Sequence, residues 1–524
     1  MPEIEHRVAS LRQALSLVAA DRKERTFYDH PFELAWVQSD LQSYLQDLAT
    51  RLDAATYTPA PARPVDVPKP GWHLRPGSIL TLDDHVVYSH LVLAMLPWIS
   101  ARIEWSEFNV RSSHLLSNKA GPWFRNAFTG WSDFQKRTAT LLTNPAYKHV
   151  LFSDIAGFYE NIDIGRLIDL LREVGGPPGD ASLLSTCLNK WAVPRRRGIP
   201  QSFSPSDVLA ELYLDTVDRS LQADGFVHVR YLDDFHLFAP AVDNARRGLH
   251  RLTVLLRERG LNIQAQKSNI LSAKDARKRV NAIDRQIRKI GTQLAREIID
   301  LGGPSGPRAH LQLKALLQAK PDSPPPQVLT QTWREFESRY SKSPSAFNKT
   351  LFHYLLRRLS DAKLDLAVDF CLSRLEDRPE ETEAVLDYLS DMTSAGSVGS
   401  NELDVIELRL RSALLEYQQY EILRWFYTKK IRHEGVMAFA RSEVKSGGSR
   451  DLVRPYAIAL VGRYGEQHDF ESIQAAYIRS ESVADKATLV SALKFSDKAM
   501  RNSFYARCRG EHPMIDRAIR WAQA

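Results

Sequence analysis

The sequence lacks the residues that support several common classes of chemistry. Only three cysteines occur among 524 residues, and they lie far apart, at Cys187, Cys371 and Cys508. This spacing argues against structural zinc and indicates a reducing cytoplasm. The sequence also contains no Walker-type phosphate loop, no His-Glu-x-x-His motif and no Gly-x-Ser-x-Gly motif. Its chemistry must therefore depend on other residues.

Long apolar runs are also absent. No uninterrupted apolar stretch of about 18 residues occurs, so we expect no membrane span. The N-terminus, MPEIEHRVAS, is charged and lacks the apolar core of a secretory signal. A hydrophobic fraction of 44% and a charged fraction of 25% are typical of a soluble globular protein. The net charge of +7 is compatible with a polyanionic partner. We expect a cytoplasmic protein that forms a homo-oligomer.

Strand patterns almost disappear in the C-terminal part of the chain. Up to residue 300, helical segments alternate with strand-like ones such as KHVLFSDI and HVRYLDDFHLF. From residue 327 onward, segments with helical periodicity follow one another. The sequence therefore predicts an α+β domain over residues 1–300 and an all-α domain over 301–524. Short successive helices favour stacked pairs of the HEAT-repeat type, and an irregular helical bundle is the alternative.

The dipeptide Asp-Asp occurs in two different settings. At Asp83 and Asp84 it precedes a helical pattern, and Asp83 is predicted to cap the helix N-terminus. Asp233 and Asp234 instead interrupt a strand-like stretch, where adjacent like charges are costly unless something neutralises them. This second pair is either an ordinary hairpin turn or two carboxylates held for a metal ion.

A third carboxylate makes the metal interpretation stronger. The strand-like segment KHVLFSD ends at Asp154 and leads through FYENI into a helix that Asp163 is predicted to cap. An aspartate at a strand end beside a double aspartate in a hairpin would bring oxygen ligands together. Two Mg²⁺ ions need such ligands for in-line phosphoryl transfer.

Four segments in order resemble the motifs of reverse transcriptases. Asp154 with FYENI resembles the first catalytic motif, and RGIPQSFSPSDVLAELYLDTVD resembles the Gly-Ile-Pro-Gln-Gly motif. RYLDDF resembles the Tyr-x-Asp-Asp motif, and GLNIQAQKSNIL resembles the lysine motif that follows it. The resemblance covers roughly residues 60–275. It extends to retron and group II intron enzymes. The long helical C-terminal half looks most like the bacterial abortive-infection (Abi) reverse transcriptases, which protect cells from phage.

This resemblance implies a right-hand polymerase with fingers and palm, and it implies roles for particular residues. It assigns two metal ions, Mg²⁺ or alternatively Mn²⁺, to Asp154, Asp233, Asp234 and the backbone carbonyl of Ile155. It places Lys267 at the pyrophosphate leaving group and Arg75 at the triphosphate. Residues in contact with the incoming nucleotide would be Tyr159, whose ring would exclude a 2′-hydroxyl, and Gly198, Pro200 and Gln201.

The sequence departs from the family at one position. Ser202 replaces the usual second glycine, where the backbone normally approaches nucleic acid, and this puts ordinary template handling in doubt. The resemblance implies a DNA polymerase that uses dNTPs and acts in antiphage defence. Abi enzymes are associated with untemplated synthesis that begins on a tyrosine, and Tyr28, Tyr44 and Tyr57 are candidates between which the sequence does not choose. An RNA-templated reverse transcriptase and a non-catalytic nucleic-acid-binding scaffold are the alternatives.

Two further segments have competing interpretations. The basic amphipathic stretch from Lys274 to Leu301 is either a thumb-like helix that contacts a nucleic-acid backbone or a solvated helix over a core. The segment RCRGEH at 507–512 fits the loose Arg-x4-His pattern of HEPN ribonucleases. Gly510 and Pro513 should break the helix that such a pair requires.

Overall fold

A computed structural model describes most of the chain. The described residues are 2–24, 26–117, 122–125, 127–192, 196–280, 326–342, 347–394, 396–446 and 450–524. The thumb-like segment predicted after Lys274 lies outside the described residues from position 281 onward.

The N-terminal region combines helices with an antiparallel hairpin. The helices are α1 (Pro2–Glu24), α2 (Glu33–Ser39), α3 (Leu41–Asp53) and α4 (Leu82–Asn109), and the strands are β1 (Arg63–Lys69) and β2 (His73–Ile79). In the hairpin, Val67 pairs with Arg75 and Lys69 pairs with His73. The two ends of the hairpin turn therefore carry basic side chains that can point to the same region.

The start of α4 corrects one detail of the sequence prediction. The N-cap is Thr81, whose hydroxyl accepts a hydrogen bond from the Asp84 amide, and Asp83 lies in the first turn. A threonine cap satisfies the free amide as well as an aspartate would, and both carboxylates still lie at the positive end of the helix. The predicted cap at Asp163 is confirmed, since its side chain accepts from the Arg166 amide.

Helix α4 is more apolar than the inspection of uninterrupted runs suggested. Its segment Leu82–Glu107 is the one helix among the described residues that is long and apolar enough to cross a membrane. The helix packs against α1 and against two later helices, at Pro178–Trp191 and Ser204–Ala223. Residues such as Val86, Val92 and Ile99 are fully buried in this packing, as in the central helix of a folded core.

A five-stranded antiparallel sheet forms the centre of the first half. Its strands are β3 (His149–Ala156), β4 (Val227–Tyr231), β5 (Asp234–Ala239), β6 (Asn262–Ile263) and β7 (Asn269–Ser272). β3 is central, with β5 and then β4 on one side and with β6 and β7 on the other. The accompanying helices are α5 (Ala127–Thr143), α6 (Phe158–Asn161), α7 (Ile164–Glu173), α8 (Pro178–Trp191), α9 (Ser204–Ala223), α10 (Val242–Arg257) and α11 (Ala273–Val280).

Both faces of this sheet are covered because its strands alternate apolar residues between two cores. Val150 and Phe152 pack with residues of α5 and α11, such as Phe134 and Ala276. Leu151 and its neighbours on the other face belong to a larger core that includes α4, α8, α9 and α10. The period-two alternation places Asp154 on the face of Val150 and Phe152, at the end of the strand.

The second half is all helical in its described part. Its helices are α12 (Pro326–Lys342), α13 (Lys349–Asp361), α14 (Val368–Asp377), α15 (Thr382–Ser394), α16 (Ser400–Ser412), α17 (Glu416–Thr428), α18 (Glu434–Ser446), α19 (Arg454–Tyr464), α20 (Gln467–Arg479), α21 (Val483–Ala492), α22 (Lys498–Cys508) and α23 (Pro513–Gln523). Helix α22 ends at Cys508 and α23 begins at Pro513, so no helix spans the Arg-x4-His pattern at 507–512.

These helices stack in two layers. Helices α13, α15, α17, α19, α21 and α23 each pack against the next in that series, and α14, α16, α18 and α20 do the same. Helices next to each other in the chain also pack across the layers, for example α18 against α19. Stacked antiparallel helices of this kind agree with the all-α prediction. The HEAT class of the repeats stays a prediction.

The core of the helical half includes residues from the N-terminal region. Phe27, Phe32, Trp36, Val65 and Val67 belong to the same buried apolar cluster as α12 to α23. β1 contacts α17, and α2 contacts α23. The helical half therefore packs directly against the β1–β2 hairpin and the segment that precedes it.

Candidate active site

Two of the sequence-predicted aspartates lie opposite each other on adjacent strands. Asp154 in β3 and Asp234 in β5 are direct partners in the antiparallel register. Directly opposed residues place their side chains on the same face of a sheet, with Cβ atoms roughly 5 Å apart. Asp154 is only 7% exposed, so its charge is removed from most solvent. The strand pairing therefore brings two carboxylates together without help from a loop.

Asp233 is held beside them by a strained two-residue turn. Tyr231 pairs with Asp234, so Leu232 and Asp233 alone connect β4 to β5. Leu232 has a φ of +56°, a backbone conformation that costs a residue with a side chain roughly 1–2 kcal/mol. The Asp233 carbonyl accepts a hydrogen bond of 3.3 Å from the amide of Ile155. This bond ties the turn to the end of β3.

A buried polar network holds the β4–β5 turn in place. The Leu232 amide donates to Ser113 Oγ at 2.8 Å, and Arg230 donates to the Leu232 carbonyl at 2.9 Å. Arg230, which is 1% exposed, also forms ion pairs with Glu211 at 2.8 Å and Asp218 at 2.6 Å. Although burial acts in the opposite direction, Arg230 holds the pKa of Glu211 well below its usual range. A fully paired network of this kind is rigid, and it offsets the strain at Leu232.

The three aspartates carry more negative charge than their surroundings neutralise. Burial, together with the Asp154 and Asp234 carboxylates, raises the pKa of Asp233. Burial and Asp154 raise the pKa of Asp234 to about 6. Closely spaced carboxylates with raised pKa values are typical of functional sites, because binding of a cation or a proton relieves the repulsion between the like charges.

Lys267 forms the one ion pair that the three aspartates make among the described residues. Lys267 Nζ lies 2.7 Å from Asp154 Oδ2, and its side chain is otherwise 64% exposed. Burial lowers the pKa of Lys267, but the hydrogen bond to Asp154 and the neighbouring carboxylates raise it more strongly, so the net shift is upward. The structure thus brings Lys267 to the aspartates, as the motif order predicted.

Tyr159 lies in α6, the short helix that follows β3. The tyrosine is 6% exposed and belongs to the large apolar core. Its hydroxyl donates a hydrogen bond to Asp207 of α9. Asp207 in turn lies 3.5 Å from His114, which contacts Glu211 at 3.2 Å. The ring is therefore held in one position by the same network that supports the β4–β5 turn.

The Gly-Ile-Pro-Gln loop packs directly against Tyr159. The Ile199 amide donates to the Tyr159 carbonyl at 3.0 Å. Gly198 has a φ of +86°, and a Cβ there would lie 3.1 Å from the Glu160 carbonyl oxygen, so glycine is required. Pro200 accepts a hydrogen bond from the Ser206 hydroxyl through its carbonyl. Gln201, which follows, is half-buried.

Ser202 occupies a conformation that glycine would adopt more easily. Its φ is +70°, in the left-handed region, where a side chain is disfavoured. The half-buried serine therefore has a backbone conformation that glycine would adopt without strain. The departure from the family's glycine adds a side chain at this point.

Arg75 reaches the aspartates from the β1–β2 hairpin. Burial lowers its pKa, and the nearby Asp233 carboxylate acts in the opposite direction, as does the Tyr417 hydroxyl from α17. Arg75 makes no ion pair with any described residue, and its Nε is buried without a hydrogen-bond partner. A half-buried arginine without a partner that faces carboxylates is a good candidate for binding an anion carried by a metal.

Comparison with known proteins identifies the first half. Residues 67–294 match the family model described as reverse transcriptase (RNA-dependent DNA polymerase). The chain contains a reverse transcriptase domain. The match implies nucleotidyltransferase activity of the DNA polymerase kind. No curated protein matches the chain.

Several solved telomerase structures resemble the chain at low sequence identity. Telomerase from Candida tropicalis with a telomeric RNA fragment is 10% identical over 70% of this chain and 68% of its own, with a TM-score of 0.33. The corresponding Candida albicans complex is 12% identical over 80% and 73%, with a TM-score of 0.32. Apo telomerase from Candida tropicalis is 9% identical over 88% and 68%, with a TM-score of 0.32. The identification depends on the family match.

Residues of the reverse transcriptase domain suit a divalent metal ion chemically, but they are not arranged as a finished site. Among the described residues, no three His, Cys, Asp or Glu side chains are gathered closely enough to hold an ion. Asp154, Asp233 and Asp234 nevertheless supply hard oxygen donors with excess negative charge. Lys267 neutralises Asp154 at the place where a cation would bind. The donor set fits Mg²⁺ or Mn²⁺, and binding would require Lys267 to move away from Asp154.

Sequence reasoning missed two groups of residues in the reverse transcriptase domain. Lys69 lies near Asp233, and burial and Arg75 lower its pKa. Its place on β1, across the hairpin from β2, is the signal that could have paired it with Arg75. Ser113 and Arg230, which hold the turn at Leu232, gave no signal, because Ser113 is 119 positions from Leu232 and the acidic partners of Arg230 lie on another element, α9.

Proposed function

We propose that this protein is a DNA polymerase that joins dNTPs through the site around Asp154. The observation that carries the proposal is the register of β3 and β5, which sets Asp154 opposite Asp234 with Asp233 in the adjoining turn. A cluster of carboxylates with too few positive charges around it suits a nucleotidyltransferase, because it can bind the cations that a triphosphate requires.

Each residue of the site has a proposed task. Asp154 and Asp233 would hold the metal ions, with the carbonyl of Ile155 and with Asp234 as a further carboxylate. When bound, the ions would supply charge stabilisation for the triphosphate and would lower the pKa of the attacking hydroxyl. Lys267, on release from Asp154, offers a positive charge to the departing pyrophosphate.

Other residues position the nucleotide. Arg75 has no ion pair of its own in the described structure and lies near Asp233, which suits it to bind the triphosphate. Tyr159 is proposed to contact the sugar, supported by its fixed hydroxyl and by the packing of the Gly198–Gln201 loop against it. A rigid ring at this place would disfavour ribonucleotides through contact with the 2′-hydroxyl.

The finer proposal concerns how synthesis begins. We propose untemplated synthesis that starts on a tyrosine, in antiphage defence. The half-buried side chain of Ser202, at a position where the family has glycine, supports the untemplated mode. The structure places Tyr28, Tyr44 and Tyr57 in packed surroundings. Tyr57 donates to Asp84 at 2.6 Å, Tyr44 is 1% exposed, and Tyr28 packs on Tyr420. Any of these hydroxyls would have to leave such surroundings to act as a nucleophile.

Incorporation of labelled dNTP separates the possible modes of synthesis. The purified full chain is incubated with Mg²⁺ and labelled dNTPs alone, with a primer, or with a primer on an RNA template, and the products are resolved on denaturing gels. Label that stays with the polypeptide through boiling in detergent, and that protease converts to a peptide-tagged strand, supports protein priming. The Asp233→Asn protein is the negative control.

Two results would contradict the proposals at different levels. Label found only as free DNA, and only with primer and RNA template, would leave an ordinary RNA-templated reverse transcriptase. No incorporation under any condition, with Mg²⁺ or Mn²⁺, would overturn polymerase activity itself and favour a nucleic-acid-binding scaffold. Phage challenge of bacteria that express the wild-type or Asp233→Asn protein would test the defence role, since only the active enzyme should protect.

A further inference from the structure

A separate cavity lies between the N-terminal region and the last helix. It has a volume of about 250 Å³, and α2, α3, the start of α4 and the start of α23 surround it. None of the aspartates of the polymerase site lines it. Aromatic side chains form much of its wall, namely Trp36, Tyr44 and Tyr57. A concave, mostly apolar site with a few polar groups is the usual form of a small-molecule pocket.

Most of the charges around this cavity are already paired. Arg51 binds Asp83 at 2.7 Å, and Tyr57 donates to Asp84 at 2.6 Å. Glu33 is likewise paired, with Arg22 at 2.6 Å. Glu33 and Asp83 therefore each have a cationic partner, whereas Asp84 accepts hydrogen bonds from neutral donors only, and none of the three carboxylates forms an ion pair with Arg517.

Arg517 is the exception. It lines the cavity from α23, is only 8% exposed, and forms no hydrogen bond or ion pair with any described residue. Its guanidinium lies over the ring of Tyr44, with 5.2 Å between Cζ and the ring centroid. A cation–π contact offsets only part of the desolvation of a buried arginine, so an anionic partner would be strongly favoured.

We propose that this cavity binds a small anion that carries an aromatic ring. The anionic group would form a bidentate ion pair with Arg517, and the ring would pack against Tyr44, Trp36 or Tyr57. Nucleoside monophosphates and aromatic carboxylates share this chemistry. Because the site joins α2 and α3 to α23, the ligand would also stabilise the contact between the two ends of the chain. This proposal does not depend on the polymerase activity.

Calorimetric titration of the full chain tests the site. The probes are dAMP, benzoate and inorganic phosphate, each in EDTA so that metal-dependent nucleotide binding at the aspartates does not contribute. We expect saturable binding of dAMP or benzoate that is at least about tenfold tighter than that of inorganic phosphate. Binding should also raise the unfolding temperature, because the ligand binds only the folded protein.

Substitutions on α23 locate the binding. Arg517→Gln should weaken binding by at least about tenfold, since it removes the unpaired charge, while Arg517→Lys keeps the charge and should lose less. Arg520→Gln is the matched control. It removes the same charge from the same helix, at an exposed pair with Asp40, and should leave binding unchanged.

Three results would overturn the proposal. The first is that the wild-type chain binds neither aromatic probe. The second is that inorganic phosphate binds as tightly as dAMP, which would exclude a role for the aromatic ring. The third is that folded Arg517→Gln protein binds like wild type, which would place the site elsewhere. If Arg517→Gln does not fold, the wild-type titration and Arg517→Lys decide.

Discussion

The two Asp-Asp pairs of this chain are identical in sequence and opposite in environment. At the start of α4, Asp83 binds Arg51 at 2.7 Å, and Asp84 accepts hydrogen bonds from Tyr57 and Thr81. In the β4–β5 turn, the carboxylates of Asp233 and Asp234 form no ion pair with any described residue, and both pKa values are raised. The comparison shows that missing partners, rather than the dipeptide itself, distinguish a candidate metal site from a structural one.

The largest expected difference between the pairs is in catalysis. Asp233→Asn should lower dNTP incorporation by at least about 1,000-fold, because it removes a ligand charge for the metal ions while nearly conserving shape. Folding should survive, since the change relieves repulsion in the metal-free protein. Steady-state incorporation and thermal unfolding measure the two effects.

The matched control is Asp83→Asn, which makes the same change in the other pair. It should keep incorporation within about threefold and lose at most about 1 kcal/mol of stability, because its partner Arg51 is partly exposed. Equal losses of incorporation in the two variants would remove the distinction between the pairs.

A tyrosine stands beside each region, and the two should differ in their effect on sugar choice. Tyr159→Ala should reduce the preference for dNTP over rNTP by at least about tenfold, because it opens space beside the 2′ position. Tyr57→Ala removes the hydroxyl that Asp84 accepts from and should affect stability alone. The ratio of dNTP to rNTP efficiencies measures both. An unchanged ratio in Tyr159→Ala would exclude the sugar contact.

Loss of a carboxylate at the start of α4 should instead appear in stability. Asp84→Ala would leave the Tyr57 hydroxyl and the Ala60 amide without their acceptor in a buried site, at a cost of roughly 2–4 kcal/mol. Urea unfolding measures the free energy. Incorporation per folded molecule should stay within about threefold of wild type. A loss comparable with that of Asp233→Asn would mean that α4 also belongs to the catalytic site.

The raised pKa of Asp234 gives the turn its own pH dependence. Its folded value of about 6 exceeds its ordinary value of 3.8, so the folded protein binds more protons than the unfolded chain between these pH values. In EDTA, this group's contribution to stability is therefore present below about pH 4 and is lost as the pH rises through 6.

The variant Asp234→Asn isolates this effect. It mimics the protonated carboxyl, so its stability relative to wild type should increase as the pH rises from about 4 to 7. Thermal unfolding across this range measures the difference, and Mg²⁺ should stabilise the wild type more than the variant above pH 6. A difference that does not vary with pH would contradict the raised pKa.

The smallest expected changes in stability come from relieving backbone strain at Ser202 and from removing the cap of α4. Ser202→Gly should stabilise the protein by roughly 0.5–1 kcal/mol, because glycine adopts a φ of +70° without strain, although it also gives the unfolded chain more freedom. The comparison at α4 is Thr81→Gly, which removes a cap in relaxed geometry and should destabilise by a few tenths of a kcal/mol. Chemical denaturation of both variants measures the direction of each change in the free energy of unfolding. A destabilised Ser202→Gly protein would show that the serine side chain is needed.

The sequence allowed the local features of the site to be predicted. Alternating apolar residues defined β3, β4 and β5, and the double aspartate marked the turn between two of them. The resemblance of its motif led us to expect Lys267 in the same site as the aspartates, and the structure brings it to Asp154, while its role at the leaving group stays a prediction. The strands and the turn depend on residues close in the chain, which local periodicity and turn chemistry record, whereas the contact of Lys267 with Asp154 spans 113 positions.

Other features depend on partners that no local pattern records. The support of Leu232 by Ser113 spans 119 positions, and the approach of Arg75 to Asp233 depends on how the β1–β2 hairpin packs. The cap of α4 shows a smaller failure, since Thr81 and Asp83 are both good cap residues and only the exact start of the helix selects between them. Tertiary packing decided each of these points.

The shared core of the helical half and the N-terminal region has a practical consequence for dissecting the molecule. Phe27, Phe32, Trp36, Val65 and Val67 are buried by helices that come more than 250 positions later in the chain. A truncated polymerase that ends near residue 300 would expose these side chains as apolar surface, which promotes aggregation. Loss of activity in such a fragment would therefore say nothing about a catalytic role for the helices, and the two halves are better studied by point substitution or by co-expression as separate chains.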